Sequence, residues 1–412
     1  MSLRLWFPLN GNFNNQGLDG PLNFTITGTV TDTAGKIGQS KEFSLSNVIA
    51  PYNFTLGTEA SFCCWIYFNE FPSSSQSNDW IFHIGSQSGY ANAVLGLSST
   101  SAGKFVIMVG GKSDSNNTHN FELNTWHHIA FTWDNNIGKL YFDGQYNKSF
   151  TNLNGGTVKT GTKFSLGSNV ANGSTKLKGR LNDVRIYDHC LSTKEVEEIS
   201  KGLLLHYKLD NILNNDNNIY DCSGFGNNGI IVGETYNISN DTAKYLNSIS
   251  LPNDNWIRVL KHPGITCSKD AITVNIWAKI NASWTYNRGS IISCQEGSGW
   301  AIAKASDNLL YFEVYADGAY RIAKTSETSY TSALIGNWHM LTGTADRTTI
   351  KLYFDGELIA TGENTATTDF RYISNYIFIG GDAKGANNET PYSAINGLFS
   401  DCRIYATVLT EA

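Results

Sequence analysis

The amino-acid sequence predicts an all-β protein made of two copies of one β-sandwich domain. The first observation is a repeat, because Trp126-His127-His128 and the following Leu140-Tyr141-Phe142-Asp143-Gly144 return as Trp338-His339-Met340 and Leu352-Tyr353-Phe354-Asp355-Gly356. The second is a composition rich in Gly, Asn, Ser and Thr, with 12% aromatic and 16% charged residues, which favours strands and turns. Each copy has about 200 residues, a size that one sandwich domain commonly reaches. We place the domains at residues 1–201 and 202–412.

Short alternating segments predict the strands of each copy. Ser61 to Phe68 and Ile272 to Ile280 alternate in polarity, as strands with one face in a core do. Both Leu-Tyr-Phe segments end in Asp-Gly, the dipeptide that accepts the positive φ angles of a tight hairpin turn, so both hairpins are expected to be tight and in register. Four tryptophans recur in the two copies and are assigned to the core, because the shared fold explains their duplication: Trp65, Trp126, Trp277 and Trp338.

One helix is expected after the first copy. Ser192-Thr193-Lys194-Glu195 has the pattern of a capping box, Val196 and Ile199 supply an apolar face, and Gly202 suits the C-terminal cap. In the second copy the sequence ends at Ala412, where the equivalent helix would begin, so a continuation of the polypeptide stays open.

Charge and cysteine usage limit the classes of partner and compartment. A net charge of -6 without a basic run gives no electrostatic basis for binding nucleic acid, and no stretch is long enough to cross a bilayer. The first residues lack the apolar core of a signal peptide, which favours a protein made in the cytoplasm, as virion proteins are, or a fragment without its export signal. The seven cysteines hardly recur between the copies, so we expect them to be reduced.

Several segments, taken in order, carry a family resemblance: Trp6-Phe7-Pro8-Leu9, Asp221 to Gly229, Trp126-His127-His128, the Leu-Tyr-Phe-Asp-Gly hairpin, Phe164-Ser165-Leu166-Gly167 and Asp183-Val184-Arg185-Ile186-Tyr187. They resemble the laminin-G-like domain of the concanavalin A-like lectin/glucanase superfamily, twice, over essentially the whole chain. The resemblance implies two jelly-roll sandwiches of antiparallel sheets in tandem. Such modules are found in bacterial surface proteins, carbohydrate-active enzymes and bacteriophage structural proteins.

The same resemblance implies a structural calcium ion, since jelly rolls of this family often hold one through loop carboxylates and carbonyls. Asp221 and Asp401, and with them Asp183, occupy motif positions that could contribute ligands. The alternative is that Asp183 and Asp401 cap a turn or pair with Arg185 and Arg403.

An enzymatic function is not expected. Glucanases of this superfamily use a Glu-x-Asp-x-x-Glu strand that places two carboxylates on one face of a sheet, and this sequence has no such segment. His127, His128 and His339 follow a tryptophan at the start of a strand, where a structural role explains them and no spacing ties them to a nucleophile.

Ligand binding is expected at aromatic side chains that are not shared between the copies, because sugar recognition needs flat aromatic faces with polar groups beside them. The candidates are Trp80, Tyr90, Trp284, Tyr286, Trp300 and Tyr320. The polar neighbours of these aromatic residues are Asn78, Asp79, Asn92, Asn287 and Arg288. Because the segment around Trp80 alternates like an ordinary strand, the alternative that Trp80 belongs to the core stays open.

These observations predict a non-catalytic carbohydrate-binding or adhesion protein, a bacteriophage tail fibre or capsid decoration that contacts host-surface glycans as part of an oligomeric assembly. Two alternatives stay open. One is a purely structural virion protein that makes only protein contacts, and the other is an ancillary binding module of a secreted glycosidase, located extracellularly or at a bacterial cell surface.

Overall fold

The computed structural model shows two compact units, Met1–Ser200 (unit 1) and Lys201–Ala412 (unit 2). It describes residues 3–410 except 73–78, 88, 101–103, 116–120, 154–155, 171–175, 211–216, 224–226, 234–235, 244, 246, 253–254, 261–269, 282–288, 296, 373–375 and 383–393. Antiparallel strands dominate both units, which confirms the predicted all-β class.

The strands of unit 1 form the two layers of a sandwich. They are β1 Leu3–Phe7, β2 Thr25–Ala34, β3 Gln39–Thr55, β4 Ala60–Phe68, β5 Asp79–Gly85, β6 Ala93–Ser99, β7 Phe105–Val109, β8 Lys112–Asp114, β9 Trp126–Trp133, β10 Gly138–Phe142, β11 Gln145–Phe150, β12 Thr160–Leu166 and β13 Lys178–Tyr187. The hydrogen-bonded order is β11-β10-β9-β4-β13-β3-β12-β5-β6-β7-β8, with β1 beside β13 and β2 beside β3. Phe62 of β4 packs against Phe82 of β5, with ring centroids 4.6 Å apart, so the core lies between the layers.

Strand β3 joins the two layers of unit 1. Its first part pairs with β13 at Lys41–Ser44, and its second part pairs with β12 from Val48 to Thr55. Leu45 lies between them with φ 54°, a left-handed conformation that turns the strand from one layer to the other.

Unit 2 repeats this plan with two separate sheets. Its strands are β14 Leu203–Tyr207, β15 Asn218–Ile219, β16 Gly229–Val232, β17 Asn237–Ser239, β18 Ser248–Leu251, β19 Trp256–Leu260, β20 Ile272–Ile280, β21 Gly289–Gln295, β22 Gly299–Lys304, β23 Leu310–Ala316, β24 Ala319–Lys324, β25 His339–Ala345, β26 Thr349–Phe354, β27 Glu357–Glu363, β28 Tyr376–Ile379 and β29 Gly397–Tyr405. One sheet has the order β17-β18-β29-β20-β25-β26-β27, with β14 beside β29, and the other has β15-β16-β19-β28-β21-β22-β23-β24. Pro252 follows β18 where unit 1 has one continuous strand, consistent with the missing N–H of proline.

The two Asp-Gly hairpins form as predicted, with one correction. Asp143 has φ 48° and Asp355 has φ 51°, as a tight turn requires. Each hairpin nevertheless contains a β-bulge in its second strand, at Asn147 and at Ile359, and is therefore not in simple register. The Asp143 carboxylate accepts hydrogen bonds from the His128 backbone N–H (2.7 Å) and lies 3.0 Å from the Nδ1 of His127. Asp355 repeats both contacts in unit 2. The two repeated motifs recur together because the turn aspartate holds the start of the strand that carries the Trp-His motif, β9 in unit 1 and β25 in unit 2.

The predicted helix is present as α1, Thr193–Ser200, and a second, unpredicted helix, α2, spans Ser329–Ala333. The backbone N–H of Ser192 donates to the Glu195 carboxylate (2.7 Å), and the N–H of Glu195 donates to the Ser192 hydroxyl (3.3 Å), so the capping box is confirmed. Val196 and Ile199 are buried as expected. Neither described helix has the length and apolar character that a membrane crossing needs.

Candidate functional site

The structure corrects the expectation for two of the candidate aromatic residues. Trp80 is 3% exposed and stacks on His83 with ring centroids 4.2 Å apart. Trp300 is 1% exposed and pairs with Val314 on the core face of β22. Neither ring offers a face to a ligand, because strand alternation directs each one into packed surroundings.

Two other candidates are partly exposed. Tyr90 begins a 3₁₀-helical turn, Tyr90–Asn92, and lies 5.4 Å from the Trp80 ring. Tyr320 belongs to β24 and donates a hydrogen bond from its hydroxyl to the Ser298 carbonyl (3.2 Å). Trp284 and Tyr286, together with Asn78, Asn287 and Arg288, lie outside the described residues.

The repeated tryptophans are not all core residues, which is a second correction. Trp65 is buried, with the Lys36 ammonium 5.1 Å from its ring and His128 packed edge-on at 5.3 Å. Trp126, Trp277 and Trp338 are only partly buried. Trp126 and Trp277 lie on strand faces that point away from the core between the sheets, and Trp338 immediately precedes β25, so duplication alone did not reveal their surroundings.

An aromatic surface covers the hairpin of β23 and β24 in unit 2. Tyr315 pairs directly with Tyr320, and their rings meet edge to face with centroids 5.0 Å apart. Farther along the same face Ile322 is 44% exposed, and Lys324 forms an ion pair with Asp307 at 2.5 Å. We call this surface, made of Tyr315, Tyr320, Ile322 and Lys324, the β23–β24 face.

The turn of this hairpin is fixed by a neighbouring segment. Asp317 lies in the turn with φ 49°, and its carboxylate accepts hydrogen bonds from the backbone N–H groups of Thr367 (2.6 Å) and Thr368 (3.0 Å). Hydrogen bonds, first from the Thr368 hydroxyl, lower the pKa of Asp317 below its usual range. The Arg371 N–H donates to the Tyr315 carbonyl (3.0 Å). The tyrosine pair is therefore presented on a preorganised hairpin.

Asp183 and Asp401 form equivalent ion pairs in the two units. Asp183 accepts a hydrogen bond from the Trp6 indole N–H (2.7 Å) and lies 2.6 Å from an Arg185 nitrogen. Asp401 accepts from the Arg403 Nε–H (2.8 Å) and lies 3.0 Å from His206 Nε2. Burial opposes ionisation of Asp401, but His206 and Arg403 hold its pKa at about 2. Both aspartates stabilise the scaffold through an arginine, as the alternative interpretation expected.

Asp221 organises the loop that follows β15. Its carboxylate accepts hydrogen bonds from the backbone N–H groups of His206 (3.0 Å), Ser223 (2.9 Å) and Asn227 (3.1 Å), and from the Ser223 hydroxyl (2.7 Å). Burial nevertheless raises its pKa above the ordinary value. Each of the three predicted metal ligands thus accepts a hydrogen bond from the chain itself. Within the described residues, no group of three or more His, Cys, Asp or Glu side chains could hold a metal. This arrangement does not fit a calcium ion.

A family comparison matches the chain twice, at residues 41–197 and 251–412, to a laminin-G domain model described as the concanavalin A-like lectin/glucanases superfamily. The two matches cover more than half of the chain. The chain belongs to the concanavalin A-like lectin/glucanases superfamily. The resemblance in the sequence is therefore confirmed, and its two copies coincide with the two sandwiches. No curated protein sequence matches the chain significantly.

Several solved structures are similar to this chain at low sequence identity. Domain 4 of AbnA, a GH43 extracellular arabinanase from Geobacillus stearothermophilus in complex with arabinotriose, is 19% identical with a TM-score of 0.40, over 48% of this chain and 98% of that one. The binding domain of botulinum neurotoxin serotype C1 is 20% identical with a TM-score of 0.37, over 51% of this chain and 50% of that one. Mouse laminin alpha1 domains LG4-5 are 13% identical with a TM-score of 0.30, over 95% of each chain.

Proposed function

We propose that the chain is a non-catalytic carbohydrate-binding protein and that the β23–β24 face binds glycans. The observation that carries the proposal is the partly exposed Tyr315–Tyr320 pair on a fixed hairpin. Aromatic rings supply flat apolar surface for the C–H groups of a sugar ring at little cost in side-chain entropy, since tyrosine has few rotatable bonds. Membership of a lectin superfamily supports the same class of ligand.

The polar groups beside the rings suit the hydroxyls of a sugar. Tyr320 is oriented by its hydrogen bond to Ser298, and the Lys324–Asp307 pair at the other end of the face combines an ammonium donor with a carboxylate acceptor. A hydroxyl can donate and accept at once, so it can engage both members of an ion pair. The carboxylates of Asp183, Asp221 and Asp401 are engaged in the scaffold and have no part in this proposal.

We further propose display of the chain in many copies, as a bacteriophage tail fibre or capsid decoration that contacts host-surface glycans. One tyrosine pair supports only weak binding, and simultaneous engagement of several copies raises avidity by roughly 10² to 10⁴. Detection of the chain in purified virions, or of capsid and tail genes beside its gene, would support this setting. A gene that continues into a glycosidase catalytic domain would contradict it.

The glycan proposal is tested with the intact chain on a glycan array, followed by titration of the best glycan. Tyr320→Ala should weaken binding at least fivefold because the stacking surface is lost, whereas Tyr320→Phe should retain most of it. Tyr220→Ala is the matched control, since Tyr220 is a 41% exposed tyrosine of the same unit outside the face. Silence of the intact chain across the array, or equal binding by Tyr320→Ala, would contradict the proposal and favour a purely structural protein.

A further inference from the structure

A row of paired side chains crosses five strands of unit 1 on the face that points away from its core. Thr31 of β2 pairs with Glu42 of β3, Glu42 with Arg180 of β13, Arg180 with Tyr67 of β4, and Tyr67 with Trp126 of β9. Directly paired residues project from the same side of a sheet. The neighbours of Tyr67 in β4, Ile66 and Phe68, belong to the core cluster, which places the row on the opposite side.

The members of this row contact one another. An Arg180 nitrogen lies 3.7 Å from the Glu42 carboxylate, and its guanidinium stacks 4.6 Å above the Tyr67 ring. The Tyr67 and Trp126 rings are 5.5 Å apart, and both are partly exposed. Four interstrand steps of about 4.8 Å give the row a length of about 19 Å. It is long enough for an extended ligand.

A cavity of about 270 Å³ opens at the β2 end of the row. Its volume is slightly below the roughly 300–1,000 Å³ typical of small-molecule sites, so it suits a single small unit of a ligand. Hydroxyl, carboxylate, amide and ammonium groups dominate its lining, which is formed by Thr29, Thr31, Glu42, Phe43, Ser44, Asn69, Glu70 and Lys178.

The charges of the cavity are balanced within the chain. The Asn69 amide donates to Glu42 (2.8 Å), Arg180 approaches the other oxygen of Glu42, and Lys178 forms an ion pair with Glu70. An anionic ligand would meet the two carboxylates, and a cationic ligand would meet the two cations. A neutral ligand with many hydroxyls can bond to these groups without separating either pair.

We infer that the cavity and the row form a second glycan site, which binds a neutral oligosaccharide with one sugar in the cavity and another, farther along the oligosaccharide, against Tyr67 and Trp126. This site is independent of the β23–β24 face, although it rests on the same proposed function. We call it the Glu42 site, after the carboxylate that belongs to both the cavity and the row.

The test titrates the intact ¹⁵N-labelled chain with neutral trisaccharides (maltotriose, cellotriose and mannotriose) and with trigalacturonic acid and chitotriosamine as charged counterparts. The readout is the NMR signals of the Asn69 side-chain amide and the Arg180 Nε–H. A neutral trisaccharide should shift both signals and bind at least threefold more tightly than its monosaccharide, because only the longer ligand reaches the aromatic pair. The charged counterparts should bind more weakly.

Variants assign the response to the Glu42 site. Glu42→Gln should weaken binding at least tenfold, and Thr31→Val, which removes one exposed hydroxyl with little change of shape, should weaken it about threefold if Glu42→Gln does not fold. Glu122→Gln, at an exposed glutamate that does not line the cavity, should bind like the intact chain. Tyr320→Ala should also leave these NMR shifts unchanged, because it alters only the β23–β24 face.

Each contrary result has a definite meaning. If no neutral trisaccharide shifts the two signals while glycans still bind in a Tyr320-dependent manner, the second site is wrong and the proposed function stands. If a charged trisaccharide binds more tightly than the neutral ones, the inferred ligand class is wrong. If Thr31→Val and Glu42→Gln both bind as the intact chain does, the ligand does not occupy this cavity.

Discussion

Asp79, at the start of β5, is a buried carboxylate whose titration provides a test of the structure around the Glu42 site. Its side chain is 3% exposed, and burial raises its pKa to about 6, with Lys178 opposing this rise and Glu70 adding to it. Asp79→Asn keeps the shape of the side chain and removes its charge. We therefore expect the substitution to stabilise unit 1 in a manner that depends on pH.

The magnitude follows from the shifted pKa. Between pH 3.8 and about 6 the folded state holds the Asp79 proton and the unfolded state releases it, so stability falls as pH rises through this range. Above pH 6 the folded state contains the ionised carboxylate at a cost of about 3 kcal/mol, which is the free-energy equivalent of raising the pKa from 3.8 to about 6. Asp79→Asn should gain up to that amount at pH 7 and almost nothing at pH 3.5.

The assay is urea unfolding of the intact chain and of Asp79→Asn, at pH 3.5 and pH 7, with Glu122→Gln as the exposed control. Other titrating groups are common to both proteins and cancel in the difference between them. An equal gain at both pH values would show that the stabilisation has another origin. A loss of stability at pH 7 would refute the inferred cost of the buried charge.

Burial lowers the pKa of His128 to about 4, so as the pH falls from 6.5 to 4 the unfolded state takes up this proton before the folded state does. This uptake destabilises the folded state by about 3 kcal/mol over that range, and His128→Phe should remove the loss in urea unfolding. Asp183→Asn leaves the fully buried Arg185 without its carboxylate and should lower the free energy of unfolding by about 3–5 kcal/mol. The matched Asp401→Asn should lower it by less, because Arg403 is 12% exposed. Equal losses in urea unfolding would contradict this. Gly299→Ala places a Cβ 1.6 Å from a backbone oxygen and should lower the free energy of unfolding by at least about 2 kcal/mol. Gly318→Ala, which has open space at a similar φ, should lower it by about 1 kcal/mol. If thermal unfolding ranks the two variants in the reverse order, the geometry is contradicted.

Signals within short stretches of the sequence predict most of the secondary structure. The Asp-Gly dipeptides, the alternation around Trp65 and the Ser192 capping box each act within a few residues, and each predicted its element correctly. The same signals could not show which face of a strand the second sheet covers. Alternation places Trp126 with other side chains on one face, but burial is decided by strands that pack from distant parts of the chain.

The candidate sites show the same limit. Tyr320 is a candidate because it is an aromatic residue that the copies do not share, yet Trp80 and Trp300 meet the same criterion and are buried. The Glu42 site brings β13 beside β2 and β3, which lie more than 100 residues earlier in the chain, so no spacing in the sequence predicts it. Only the strand register places Glu42 beside Arg180.

The central claim is that two separate outer surfaces of the tandem sandwiches bind glycan. The most direct measurement is isothermal titration of the intact chain, of Tyr320→Ala, of Glu42→Gln and of the double variant with a neutral oligosaccharide selected on the array. We predict two sites in the intact chain, weaker binding at one of them in each single variant, and weaker binding at both in the double variant. Full binding by the double variant, or no binding by the intact chain, would contradict the account.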